Sequence, residues 1–177
     1  MYNMEYSRKE KVLYWWRYKN YFNNLPKKNE YSRVEKESIL IILPDGEVAF
    51  DLANLFLEKI KLNKTRIHFL VKDALINFYP LVLNDSAILF TYKDISSLGV
   101  PTEEFVKKVR SYNYANMIDL NTNFSRFSSF LLRACNPKVR MGFNYDNSKK
   151  YYNVILDTNY QRDLEGTFKM IQQFIKI

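Results

Sequence analysis

The sequence predicts a single α/β domain, a Rossmann-like three-layer fold with a mostly parallel sheet, preceded by an N-terminal helical extension. Short apolar runs, typical of strands buried on both faces, alternate with segments whose apolar residues recur at helical spacing. That alternation indicates βαβ units, whose crossover helices cover both faces of a sheet. A chain of 177 residues with only 4 Gly and 5 Pro fits one folded domain better than a disordered or fibrous protein.

Six strands are predicted, each a short apolar stretch between polar or turn-forming residues. The first, residues 38–43, is the continuous run SILIIL, and the turn Pro44-Asp45-Gly46 ends it. The other strands are short apolar segments of the same kind, namely residues 66–71, 87–92, 116–120, 139–143 and 151–157. The helices are predicted where apolar residues recur three and four positions apart, namely residues 47–60, 73–79, 124–134, 162–175 and a helix that opens at 102.

Residues 1–37 are predicted to form a basic, aromatic leader and linker ahead of the domain at 38–177. Up to residue 36 there are nine basic and four acidic residues, which is +5 of the net charge of +8. Residues 7–24 have helical spacing. The leader side chains expected to contact a partner are basic or aromatic: Arg8, Lys9, Lys11, Trp15, Trp16, Arg17 and Lys19.

Several kinds of partner fit this leader. Basic side chains attract phosphates, and aromatic rings stack on bases or enter a membrane interface. The leader is therefore expected to contact a nucleic acid, an anionic membrane surface, another protein or a second copy of the chain. Packing of the two tryptophans on the core of the same chain is the alternative.

Composition excludes several classes of function. One cysteine cannot form an internal disulfide, and one histidine, His68, lies inside a predicted strand, where a packed structural role is expected. Neither GxGxxG nor GxxxxGK[ST] occurs, so no nucleotide cofactor is expected, and no metal site is expected either. No apolar run approaches the roughly 18 residues of a membrane span. We expect a cytoplasmic location, with peripheral contact to the inner membrane as an alternative.

Candidate site residues follow the predicted strands, because ligands of open parallel sheets bind outside the carboxyl ends of the strands. Asp45, Gly46 and Glu47 follow the first strand, where Gly46 lets a ligand approach a helix N-terminus and Glu47 can act as a general base. The alternative is that Asp45 caps that helix. Asp119 lies at the end of the fourth strand and Asn121 follows it. Asp119 either orients a ligand or binds the amides of its own loop.

Three motifs carry a resemblance to a known enzyme family. They are ILIILPDGEV at residues 39–48, MIDL at 117–120 followed by Ser125 and Arg126, and VRMGF at 139–143. In this order they resemble the N-terminal domain of the glycosyltransferase family 9 heptosyltransferases. The resemblance implies a GT-B half-domain, which in that family holds a lipopolysaccharide acceptor, and it adds Ser125 and Arg126 to the candidate ligand-binding residues.

The departures from the family pattern shape the expected function. Glu47 stands where the family has its catalytic Asp. We expect the donor-binding domain, which would hold an ADP-sugar, to be missing. We therefore expect a degenerate glycosyltransferase-like half-domain without autonomous transferase activity, which binds a ligand or partner at the strand ends. If the chain is active, it needs a second donor-binding domain or chain. The alternative is a basic binding or scaffold protein that works through its leader.

Overall fold

A computed structural model of the chain describes residues 38–45, 50–59, 67–80, 86–146, 148–157 and 163–175. Its strands are β1 Ile39–Ile42, β2 Ile67–Lys72, β3 Ala87–Phe90, β4 Asn116–Asp119, β5 Val139–Phe143 and β6 Val154–Leu156. Its α-helices are α1 Phe50–Lys59, α2 Glu103–Ser111, α3 Arg126–Cys135 and α4 Leu164–Ile175. Short 3-10 helices span Asp73–Phe78, Tyr92–Asp94 and Ser148–Lys150.

The six strands form one sheet in the order β3-β2-β1-β4-β5-β6, and every neighbouring pair is parallel. This confirms the predicted Rossmann-like α/β fold. The order is that of the Rossmann fold, in which the chain builds outward from β1 to β3 and then returns to place β4 on the other side of β1. The direction in which successive strands are added therefore reverses at the boundary between β1 and β4.

Helices cover both faces of the sheet, as the alternation of apolar segments predicts. Ile39 and Ile41 of β1 share one buried cluster with Ala53 of α1 and Phe168 of α4. On the opposite face α2 packs against α3, and Phe90 of β3 stacks on Phe127 of α3 with 4.3 Å between ring centroids. The central strands β1 and β4 are thus buried on both sides, which is why their sequences are short apolar runs.

Several element ends differ from prediction because short-range caps terminate them. The third strand ends at Phe90, since the Thr91 N–H donates to Asp94 Oδ2 (2.7 Å) and Thr91 Oγ1 accepts from the Lys93 N–H, which together close a capping box. The helix predicted from 124 begins at Arg126, because the Ser125 side chain caps it. The predicted helix at 73–79 is a 3-10 helix. The last strand is reduced to three residues because the Ser148–Lys150 turn precedes it.

Part of the prediction falls on residues outside the described ranges. These include the whole leader and linker, with the proposed partner-binding residues Arg8, Lys9, Lys11, Trp15, Trp16, Arg17 and Lys19. Gly46 and Glu47, in the turn after β1, also lie outside them. Within the described ranges, no helix is long and apolar enough to cross a membrane.

Candidate functional site

The carboxyl ends of β1 and β4 lie side by side, with Ile42 paired to Asp119. Just beyond them, the backbone N–H of Asp45 donates to Asn121 Oδ1 at 3.1 Å. One side chain from the loop after β4 therefore holds the loop after β1. This is the point where the strand order reverses, which is the position at which open α/β sheets bind ligands.

Asp119 is a carboxylate with no exposed surface at the base of this position. Its Oδ1 accepts from the backbone N–H of Asn121 at 3.0 Å and from Asn121 Nδ2 at 2.7 Å. Its Oδ2 accepts from the Tyr152 hydroxyl at 2.6 Å and from the Ser128 hydroxyl. All these donors are neutral, so hydrogen bonds rather than an opposite charge hold the buried carboxylate.

Three separate segments bring these donors to Asp119, each for a local reason. Asn121 is two residues further on, the spacing at which an Asp side chain binds the backbone of its own turn. Ser128 lies in the first turn of α3, where its backbone N–H donates to the Ser125 cap at 3.4 Å. Tyr152 lies over Gly142 of β5, where a Cβ atom would be 2.5 Å from the tyrosine ring. A glycine in the strand is therefore what admits the ring.

Hydroxyl groups extend this network away from the buried carboxylate. Ser129 Oγ lies 3.1 Å from the Tyr152 hydroxyl and 2.8 Å from the hydroxyl of Tyr145, a half-buried residue just after β5. The Tyr145 ring also contacts Phe124, with 5.0 Å between centroids, and Phe124 is 42% exposed. The polar network thus leads from Asp119 to a partly exposed aromatic pair at the same end of the sheet.

Burial dominates the electrostatics of the network. It raises the pKa of Asp119 above the ordinary value, and the hydrogen bonds from Ser128, Tyr152 and Asn121 offset only part of that increase. Burial, followed by the nearby Asp119 charge, raises the pKa of Tyr152 far above its ordinary range. Burial also raises the pKa of Tyr145 to about 12. Both tyrosines therefore remain neutral donors around neutral pH.

Comparison with known proteins gives a family without an assigned activity. The model of a family of unknown function, DUF6913, matches residues 9–177 of the chain. The chain belongs to the DUF6913 family. No curated protein and no solved structure matches it significantly. The resemblance to family 9 glycosyltransferases consequently stays a prediction.

The structure places the predicted site residues of this DUF6913 chain in two groups. Asp45, Asp119 and Asn121 are joined by hydrogen bonds at the boundary of β1 and β4. Ser125 serves as the cap of α3, and Arg126 Nη1 donates to the Leu98 carbonyl oxygen at 3.0 Å, in the connection between β3 and α2. Arg126 is thus engaged by another segment and not by the Asp119 network.

Sequence reasoning missed Tyr152, the residue that completes the network. The sequence places this residue in the predicted strand at 151–157. The one indication in the sequence was Gly142, because a glycine inside a strand often marks the close approach of another group.

His68 has the expected packed environment, with its Nδ1 hydrogen-bonded to the Tyr114 hydroxyl. Among the described residues, no group of three or more His, Cys, Asp or Glu side chains could hold a metal ion.

The raised pKa of Asp119 predicts how the stability of the DUF6913 domain depends on pH. A carboxyl group with a higher pKa in the folded state contributes stability that is fully present below its unfolded pKa, ordinarily 3.8. That contribution is lost as the pH rises through the folded value. Wild-type protein should therefore lose stability relative to Asp119→Asn as the pH rises from 4 toward 8, on the order of 1 kcal/mol for each unit by which the pKa is raised.

Urea unfolding of both proteins at several pH values measures this difference. The comparison isolates Asp119, because every other titrating group is common to the two proteins. A stability difference that stays constant across the pH range would show that burial does not raise the pKa of this carboxyl group.

Proposed function

We propose that the chain is a glycosyltransferase-like binding domain that takes a polar ligand at the carboxyl ends of β1 and β4 and has no transferase activity of its own. The hydrogen bond from the Asp45 N–H to Asn121 Oδ1 is the main support. It holds two loops in a fixed relation at the topological switch point, and a preorganised site loses less entropy when a ligand binds.

The state of Asp119 favours binding over catalysis. A general base has to come within hydrogen-bond distance of the proton that it removes. Asp119 has no exposed surface, and both of its oxygen atoms already accept hydrogen bonds from the protein. It therefore supports the loop after β4 and is not available to a ligand. Asp45, in contrast, is exposed, and among the described residues it engages the network only through its backbone N–H.

The chemistry of the exposed groups indicates the kind of ligand. The Asp45 carboxylate accepts hydrogen bonds from hydroxyl groups. Phe124, in the loop after β4, offers an apolar surface that is 42% exposed. A ligand with several hydroxyl groups and an apolar face fits both, and the glycosyltransferase resemblance favours a carbohydrate acceptor over a nucleotide.

Ligand-observed NMR with the full chain and a panel of monosaccharides, sugar phosphates and ADP- or UDP-sugars tests the proposal. Asp45→Asn removes the accessible charge but leaves the backbone hydrogen bond, so it should weaken binding by about tenfold, the usual effect of losing one charge-assisted hydrogen bond. The matched control is Glu58→Gln, an exposed carboxylate near the end of α1, which should leave binding unchanged.

Two results would contradict the proposal in different ways. Equal binding by the Asp45 and Glu58 variants would place the ligand elsewhere on the chain. Transfer of a sugar from an ADP- or UDP-sugar by the purified chain alone would show that the domain retains catalysis.

A further inference from the structure

The hydroxyl groups next to Asp119 form a chain that leads from the buried carboxylate to a partly exposed residue. Tyr152 donates to Asp119 Oδ2 at 2.6 Å. Ser129 Oγ lies 3.1 Å from the Tyr152 hydroxyl and 2.8 Å from the Tyr145 hydroxyl. Asp119, Tyr152 and Ser129 are buried, whereas Tyr145 is partly exposed. The chain of hydroxyl groups therefore reaches the surface of the domain at Tyr145.

The number of protons in this chain fixes the direction of its hydrogen bonds. Each hydroxyl group carries one proton, and an ionised carboxylate only accepts. Because the Tyr152 proton lies in the bond to Asp119, Ser129 has to donate to the Tyr152 oxygen. Because the Ser129 proton is then committed, Tyr145 has to donate to Ser129 Oγ. All three protons thus point toward the carboxylate, and hydrogen bonds aligned in this way strengthen one another in a buried region.

The outermost hydroxyl group, that of Tyr145, is left as a hydrogen-bond acceptor. Burial raises the pKa of Tyr145 to about 12, so the phenol keeps its proton at neutral pH, and that proton is used on Ser129. The Tyr145 oxygen therefore offers a lone pair but no proton to a further group. Its ring contacts the exposed Phe124, which lies in the same loop after β4 as Asn121.

We propose that Tyr145 accepts a hydrogen bond from the ligand and thereby selects a hydroxyl or amino group next to the ring of Phe124. This inference rests on the proposed function and specifies its ligand as a sugar that is not phosphorylated at this position. A hydroxyl or ammonium group donates to the Tyr145 oxygen, whereas a dianionic phosphate presents only lone pairs to it. Asp45, which is exposed, carries an acceptor of the same kind on the loop after β1.

Ligand-observed NMR on the full chain tests this selection with D-glucose, D-galactose and D-mannose and with analogues of each that lack one hydroxyl group. The measurements are made at mildly basic pH, which favours the ionised form of Asp119. One deoxy analogue of the hexose that binds should bind the wild type roughly fivefold to tenfold more weakly, the effect of losing one neutral hydrogen bond. In Tyr145→Phe that difference should disappear. Tyr112→Phe, which removes a hydroxyl from an exposed tyrosine between α2 and β4, is the matched control and should keep the difference.

A second variant, Ser129→Ala, tests the direction of the hydrogen bonds while it keeps the Tyr145 hydroxyl. Without the serine oxygen the Tyr145 proton is no longer committed, so the group donates as well as accepts. The probe is the same hexose with a methoxy group, which accepts but does not donate, in place of the selected hydroxyl. Relative to the hexose, this probe should bind Ser129→Ala several-fold better than it binds the wild type. Circular dichroism confirms that both variants are folded.

The outcomes separate this inference from the function on which it rests. A deoxy penalty that is the same in the wild type and in Tyr145→Phe would overturn the inference, because a purely structural role of Tyr145 weakens the binding of all probes equally. If Asp45→Asn nevertheless weakened binding, the proposed function would stand and only the role of Tyr145 would be wrong. Absence of binding by all three hexoses would contradict both.

Discussion

Replacing Asp119 with alanine is expected to lower the free energy of unfolding by about 3 kcal/mol, because it leaves several buried donors without an acceptor at once. The hydroxyl of Tyr152 and the side-chain amide of Asn121 lose their partner in a region closed to solvent. The loop that carries Asn121 also loses the turn that orders it. Urea unfolding monitored by circular dichroism measures the loss.

Two control variants test whether the stability loss of Asp119→Ala comes from the buried hydrogen bonds. Asp119→Asn keeps an acceptor at one oxygen position, so it should cost less than the alanine variant. Asp157→Asn changes an exposed carboxylate that accepts one hydrogen bond from Asn144 Nδ2, and it should alter stability by no more than about 0.5 kcal/mol. If Asp119→Ala cost as little as Asp157→Asn, the buried network would contribute no stability and Asp119 would not organise the site.

Gly142→Ala is expected to cost about 2 to 3 kcal/mol, the range for inserting a group into a filled core. The new Cβ would lie 2.5 Å from the ring of Tyr152, too close for the ring to keep its position. Movement of the ring would also withdraw its hydroxyl from Asp119. The loss is measured by equilibrium unfolding, as for the Asp119 variants.

A double-mutant cycle separates the clash from other effects of the substitution. In a Tyr152→Ala background the ring is absent, so adding Gly142→Ala should cost little or even stabilise the strand, since alanine loses less backbone entropy than glycine on folding. An equal cost of Gly142→Ala in both backgrounds would mean that the tyrosine ring is not the reason for glycine in β5.

Local patterns in the sequence account for most of the fold. The continuous apolar runs at β1 and β4 mark strands buried on both faces, and the helices between strands follow from apolar spacing. The errors fall where a short-range hydrogen bond competes with the continuation of a strand or helix. Thr91 ends β3 early and Ser125 delays the start of α3, and periodicity does not report such caps.

The candidate site was predictable only in part, because one of its residues is far from the others along the chain. Asp119 and Asn121 were identified because both follow one strand. Tyr152 reaches the same carboxylate from 33 residues away, and its contact depends on the register of β5 with β6 and on the space above Gly142. The register of β5 with β6 cannot be predicted from a single sequence.

The position of Tyr152 in the chain has a consequence for the order of synthesis. β1 and β4 are both complete once residue 119 has been made, yet the last donor to Asp119 comes from a segment that emerges later. On the ribosome, the first four strands can pair while the carboxylate between them still lacks its tyrosine. The ligand site proposed at the carboxyl ends of β1 and β4 therefore takes its final form late in translation, when most of the sheet is already assembled.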